Sequence, residues 1–152
     1  MPVRLSAETK IPARMRDLPT WLISCNYARS NGLLNDGFAA TSSGLRPYHY
    51  RLMASLEEAG PIGQAELGRV SGIDRSDVAN MLAELEQLGL VARTVDPSNR
   101  RRNIVAITPA GSDQLTTLDD VLEEIQQQVL APLSPNERRQ LTKLLHKLSD
   151  TH

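Results

Sequence analysis

Apolar residues recur at Leu18, Leu22, Cys25 and Ala28, then at Leu33 or Leu34, the spacing of one helix face. This predicts a first helix over residues 18–35, with Pro19 tolerated because its missing N–H falls in the first turn. Residues 37–44 are small and polar and read as a loop. Pro47 suits the opening of a second helix with Tyr50, Met53 (or Leu52) and Leu56 on its buried stripe, ended by Gly60-Pro61. A short third helix is expected over residues 64–70, closed by Ser71-Gly72. A fourth opens near Asp74, whose side chain can cap it, and turns Val78, Leu82, Leu85 and the nearby Leu88 to one face.

Gly89 stops that helix, and the pattern changes. Two β-leaning runs, residues 90–95 and 103–108, flank the turn-forming stretch Asp96-Pro97-Ser98-Asn99-Arg100-Arg101-Arg102, which reads as a hairpin with a basic tip. Thr108-Pro109 starts a long fifth helix through Leu115, Leu118, Leu122, Ile125 and Val129, closing before Pro132. Ser134-Pro135-Asn136-Glu137 is a capping box, and Leu141, Leu144, Leu145 and Leu148 stripe the helix that follows it. The expected fold is mainly α with a small β-wing. Residues 1–17, with Arg4, Lys10, Arg14 and Arg16 against Glu8 and Asp17, form a basic arm, and residues 18–148 form one domain.

Composition narrows the function. At 152 residues with 3% aromatics, the chain has room for one core built from Leu, Val, Ile and Ala. No apolar run is long enough to span a membrane and no leader pattern appears, so a cytoplasmic protein is expected. A lone Cys25 precludes an internal disulfide and a CxxC zinc module. His49, His146 and His152 are scattered and no phosphate-cradling glycine loop is present, so neither catalysis nor a cofactor or metal is expected. The net charge of −1 is less basic than many nucleic-acid binders, but charge is segregated. Arg93 and Arg100–Arg102 face Asp96 alone, whereas Asp113, Asp119, Asp120, Glu123 and Glu124 cluster without a cation.

The order helix, turn, helix, hairpin carries the functional expectation. The fourth helix leaves Arg75, Ser76, Asp77 and Asn80 on its polar side, a set suited to base edges in the DNA major groove: arginine pairs with guanine and asparagine with adenine. The hairpin that follows can set Ser98, Arg100, Arg101 and Arg102 against phosphates or into a narrow minor groove. Winged helices also serve as protein-interaction modules, and the near-neutral charge would suit that rival role.

Three stretches resemble the MarR family: Gln64-Ala65-Glu66-Leu67-Gly68-Arg69-Val70-Ser71-Gly72-Ile73, the run from Val78 that ends Leu85-Glu86-Gln87-Leu88-Gly89-Leu90-Val91-Ala92-Arg93, and Asp96-Pro97 to Arg101 closing with Ile107-Thr108-Pro109-Ala110-Gly111. The resemblance implies a winged helix-turn-helix over residues 45–108, with residues 18–36 and 109–148 as dimerisation helices. It implies a homodimer on a pseudo-palindromic operator with half-sites roughly 10 bp apart. It further implies that Asp96, with Arg100 or Arg101, braces the wing. The family's usual wing motif has a basic residue at Ser98 and aspartate at Asn99, so the arginine that enters the minor groove stays open.

Regulators of this kind commonly repress and are released by small, often aromatic and anionic effectors. Candidate effector residues are Trp21 for stacking, Arg14 or Arg16 for a carboxylate, and Tyr27, His49 and Tyr50 for hydrogen bonds. Cys25, near Tyr27, raises oxidant sensing as an alternative, since relatives that sense peroxide carry a reactive cysteine in the first helix.

Overall fold

The computed structural model describes residues 3–150. Its elements run α1 (Ala13–Arg16), α2 (Pro19–Ala39), α3 (Pro47–Ala59), β1 (Ile62–Gly63), α4 (Gln64–Ser71), α5 (Arg75–Gln87), β2 (Val91–Asp96), β3 (Asn99–Ile107), α6 (Pro109–Val129) and α7 (Pro135–Ser149). They divide into two compact units, one of Leu34–Leu122, the other of the described residues up to Leu33 together with those from Glu123 on.

The Leu34–Leu122 unit has a continuous aliphatic core. Leu52, Met53 and Leu56 of α3, Leu67 of α4, Leu82 and Leu85 of α5, Val105 of β3 and Leu118 of α6 are fully buried. Phe38 joins them at 1% exposure, and this corrects the loop expected over residues 37–44. Helix α2 runs on through Gly37 to Ala39 because burying a phenylalanine, at about 1.5–3 kcal/mol, outweighs the ~1 kcal/mol that a helical glycine costs. Leu88 departs from the expected stripe and is 55% exposed. Helix α5 ends at Gln87, Gly89 takes φ 72°, and Leu90 enters the core instead, its N–H donating to the Leu85 carbonyl at 3.0 Å.

Strand order is β1-β3-β2, all antiparallel. The two-residue β1, which the sequence pattern does not signal, pairs Ile62 with Val105 and Gly63 with Ile104, and so fastens the start of α4 to the hairpin. At the far end of this sheet α6 is joined tightly. Thr108 Oγ1 donates to the Gly89 carbonyl at 2.7 Å and accepts the Gly111 N–H at 3.1 Å. Gly111 lies so near the Leu90 backbone that a Cβ there would collide with the Leu90 carbonyl.

The other unit contains α1, most of α2, the end of α6 and all of α7. Part of the expected basic arm is ordered locally as α1, preceded by a turn in which the Thr9 N–H donates to the Ser6 carbonyl at 3.0 Å. Residues 1 and 2 of that arm lie outside the described residues. Arg29 of α2 donates to the Val129 and Gln128 carbonyls at 3.2 and 3.3 Å, satisfying acceptors at the end of α6 that have no partner within the helix. The α7 capping box is formed: the Glu137 N–H donates to Ser134 Oγ at 3.2 Å and the Ser134 N–H to Glu137 Oε1 at 2.9 Å. Helix α7 buries none of its residues, and Leu144, Leu145 and Leu148 are 59%, 49% and 59% exposed.

Candidate nucleic-acid interface

Helix α5 is two-faced. Val78, Met81, Leu82 and Leu85 are buried, while Arg75, Ser76, Asp77 and Asn80 are exposed. Its N-cap is Asp74, in extended conformation, whose carboxylate accepts the Ser76 hydroxyl at 2.8 Å. That hydrogen bond holds the Asp74 carboxyl below its ordinary range. The Asp74 side chain thus takes the Ser76 hydroxyl in place of the expected cap bond to the helix backbone, whereas Arg75 and Asn80 form no ion pair or side-chain hydrogen bond among the described residues.

Two buried or bridging links hold α5 in place. His49 is 2% exposed; its Nδ1 accepts the Arg46 N–H at 2.9 Å, so the ring proton sits on Nε2 and faces Glu84 Oε2 at 2.5 Å. The His49 hydrogen bond, aided by Arg46, pulls the Glu84 carboxyl below its ordinary range. At the end of the helix Arg93 grips Glu86 in bidentate fashion, at 3.1 and 3.2 Å.

The hairpin differs from its expected form. Asp96 opens a tight turn through Pro97 and Ser98, accepting the Ser98 N–H and hydroxyl on Oδ1 at 2.9 and 2.7 Å. These two bonds, then Arg102, hold the Asp96 carboxyl low. Strand β3 begins at Asn99, so the basic residues lie on the strand rather than at a tip. The register jumps from Val95↔Asn103 to Asp96↔Asn99, which leaves Arg100, Arg101 and Arg102 without an opposite residue on β2. The arginine that reaches Asp96 is Arg102, with Nε 3.9 Å from Oδ2, in place of the expected Arg100 or Arg101. Arg100 and Arg101 are exposed, as is Ser98.

The candidate effector residues fall in both units. Arg14 and Arg16 are exposed on α1, Trp21 and Cys25 are half-buried on α2, and Tyr27 is 67% exposed. The Trp21 indole N–H is buried and has no partner among the described residues. His49 and Tyr50 belong to the other unit, and both are engaged. His49 uses both ring nitrogens, while the Tyr50 hydroxyl donates to Asp119 Oδ1 at 2.6 Å and its ring meets Phe38 edge-on at 6.4 Å. The hydrogen bond to Asp119 and partial burial push the Tyr50 pKa up to about 12. Sequence reasoning missed Glu84 as the partner of His49 and Gly63 as the neighbour of Arg102; neither leaves a periodic signal.

A model of the MarR family matches residues 45–102. A putative transcriptional regulatory protein for the hcr operon of Thauera aromatica is 30% identical over 108 residues, 71% of this chain and 65% of that protein. Among solved structures, a probable transcriptional regulator from Pseudomonas aeruginosa is 32% identical with a TM-score of 0.75, covering 87% of this chain and 97% of that one. Bordetella bronchiseptica BpsR, whose DNA binding is regulated by 6-hydroxynicotinic acid, is 25% identical with a TM-score of 0.73, covering 84% and 96%. The match spans under two thirds of the length of the Thauera protein, 65%, and 56% of a Bacillus subtilis regulator that is 35% identical over 86 residues. Fold and sequence together define a winged helix-turn-helix protein. The chain belongs to the MarR family.

Proposed function

We propose that the protein is a non-enzymatic transcriptional regulator that binds double-stranded DNA sequence-specifically, as a cytoplasmic homodimer on a pseudo-palindromic operator. The observation that carries this reading is the two-faced α5: a polar, exposed side with Arg75 and Asn80 unpaired, held rigidly by a buried side and by His49–Glu84, and followed by a hairpin with exposed Arg100 and Arg101. Family membership supports it. Arg75 and Asn80 read bases, Ser76 and Asp77 line the same face, and the hairpin arginines meet the backbone or the minor groove. The second copy covers the exposed leucines of α7, here Leu144 and Leu145, with Leu22, Ile23 and Tyr27 of α2.

The bound state represses, and a small aromatic anion releases it. BpsR's response to 6-hydroxynicotinic acid supports the class of effector. Arg14, Arg16, Trp21 and Tyr27 remain available for such a ligand, whereas His49 and Tyr50 already have their hydrogen-bonding groups occupied. The chain has a single tryptophan, so quenching of its fluorescence by titrated hydroxynicotinic or hydroxybenzoic acids reports occupancy directly.

The test of DNA binding is a salt-titrated gel shift with duplex from upstream of the protein's own gene and random duplex as competitor. Preferential binding by one dimer per site is expected. Arg75→Ala or Asn80→Ala then costs about 1–3 kcal/mol on the preferred sequence and little on random DNA. Absence of binding to any duplex at low salt would transfer the polar face of α5 to a protein partner.

A further inference from the structure

Two carboxylates of α5 are gripped from opposite sides. Glu84 and Glu86 are two residues apart, and at 3.6 residues per turn this sets their side chains roughly 200° apart around the helix. Glu84 reaches α3, where its Oε2 accepts the His49 Nε2–H at 2.5 Å and an Arg46 N–H at 3.2 Å. Glu86 reaches β2, where Arg93 donates from Nε and a terminal nitrogen to both carboxylate oxygens. Neither grip comes from a loose surface side chain. His49 is 2% exposed and its second nitrogen accepts the Arg46 N–H, while the Arg93 side chain is 25% exposed.

Between these two flanks lies the buried face, Val78, Met81, Leu82 and Leu85, and away from it the exposed Ser76 and Asn80. Apolar burial is non-directional, so it holds α5 down without fixing its rotation about its own axis. Hydrogen bonds have preferred angles, and a pair of them on opposite flanks fixes that rotation. The required precision is high. With side chains a helix is about 5–6 Å in radius, so a roll of about 10° shifts side-chain tips by about 1 Å. That exceeds the roughly 0.5 Å spread of good N–H···O distances, so base contacts made by Arg75 and Asn80 would be lost.

We infer that the Glu84–His49 and Glu86–Arg93 pairs together lock the roll of α5, which makes His49, Glu84, Glu86 and Arg93 positioning residues for DNA sequence discrimination. This rests on the DNA-binding reading and deepens it: the four act through Arg75 and Asn80 rather than by contact with DNA. With one pair removed the helix pivots on the other. With both removed only the apolar face restrains it.

The experiment measures the ratio of affinities for the duplex from upstream of the protein's own gene and for random duplex, at one fixed salt concentration. Glu84→Ala and Glu86→Ala should each lower that ratio by about fivefold, the low end for one lost base contact. The double variant should lose more than the product of the two, and Arg75→Ala should cost less in that background than in the wild type. Glu84→Gln, which still accepts the His49 N–H but carries no charge, should restore the wild-type ratio. Circular dichroism and melting confirm that each variant is folded at the temperature of the assay. A ratio unchanged by both alanine variants overturns the lock and leaves the two pairs as structural contacts. Equal losses with Glu84→Gln and Glu84→Ala overturn it as well, since the missing negative charge would then account for both. A wild-type protein that binds both duplexes equally, or neither, instead overturns the DNA-reading role on which the lock depends.

Discussion

Helices α5 and α7 carry leucine stripes of the same period, yet they meet opposite fates. Leu82 and Leu85 of α5 are fully buried, whereas Leu144 and Leu145 of α7 are 59% and 49% exposed. The difference teaches that amphipathic spacing states which face must be covered, and leaves open what covers it. In the Leu34–Leu122 unit the cover is intramolecular, from α3, α4 and β2. For α7 it is the second protomer of the proposed dimer.

The contrast can be broken most severely in the core of α5. Leu82→Ala should lower stability by about 2–5 kcal/mol, read from thermal or urea unfolding, independently of protein concentration. A glycine pair gives the next effect. Gly111→Ala, whose methyl meets the Leu90 carbonyl, should destabilise by about 1–3 kcal/mol, whereas Gly32→Ala, with open space around it in α2, should stabilise by up to about 1 kcal/mol. Equal effects at the two glycines would remove the tight α6 joint from the account.

Leu145→Ala sharpens the comparison further. In an isolated chain a half-exposed leucine contributes little, within about 0.5 kcal/mol, but if a second copy covers it the variant should melt earlier by an amount that grows as the protein is diluted. Sedimentation of Leu144→Asp/Leu145→Asp as a monomer, beside a dimeric wild type, would give the same answer. A dimeric double variant would move the interface elsewhere.

The smallest effect is titrimetric. Tyr50 has its pKa raised from 10.0 to about 12 by its hydrogen bond to Asp119, so its contribution is intact below pH 10 and disappears as pH rises through 12. Phenolate absorbance should show one late-titrating tyrosine, absent in Tyr50→Phe. Were it to titrate at the ordinary value, the Asp119 contact would not exist in solution.

The helices were legible because each buried face repeats at a helical period and most boundaries carry Pro, Gly or a cap. Phe38 was hidden by Gly37, a breaker overruled by tertiary burial. The exposed polar set on α5 was readable, since its positions are those the apolar stripe leaves over. The pairing of Arg102 alone with Asp96 was not, because it depends on the register jump opposite Val95 and Asp96 and on β1, a two-residue strand without periodicity. Arg100, Arg101 and Arg102 are adjacent and chemically identical in sequence; only pairing distinguishes them.

The joint at Thr108–Gly111 sets the mechanics of the winged unit. With Thr108 bonded to the Gly89 carbonyl and Gly111 packed on Leu90, the first turn of α6 and the root of β2 behave as one rigid elbow. Opening of the first turn of α6 therefore frees Leu90 and the root of β2 together, so their amides should exchange with solvent as one unit.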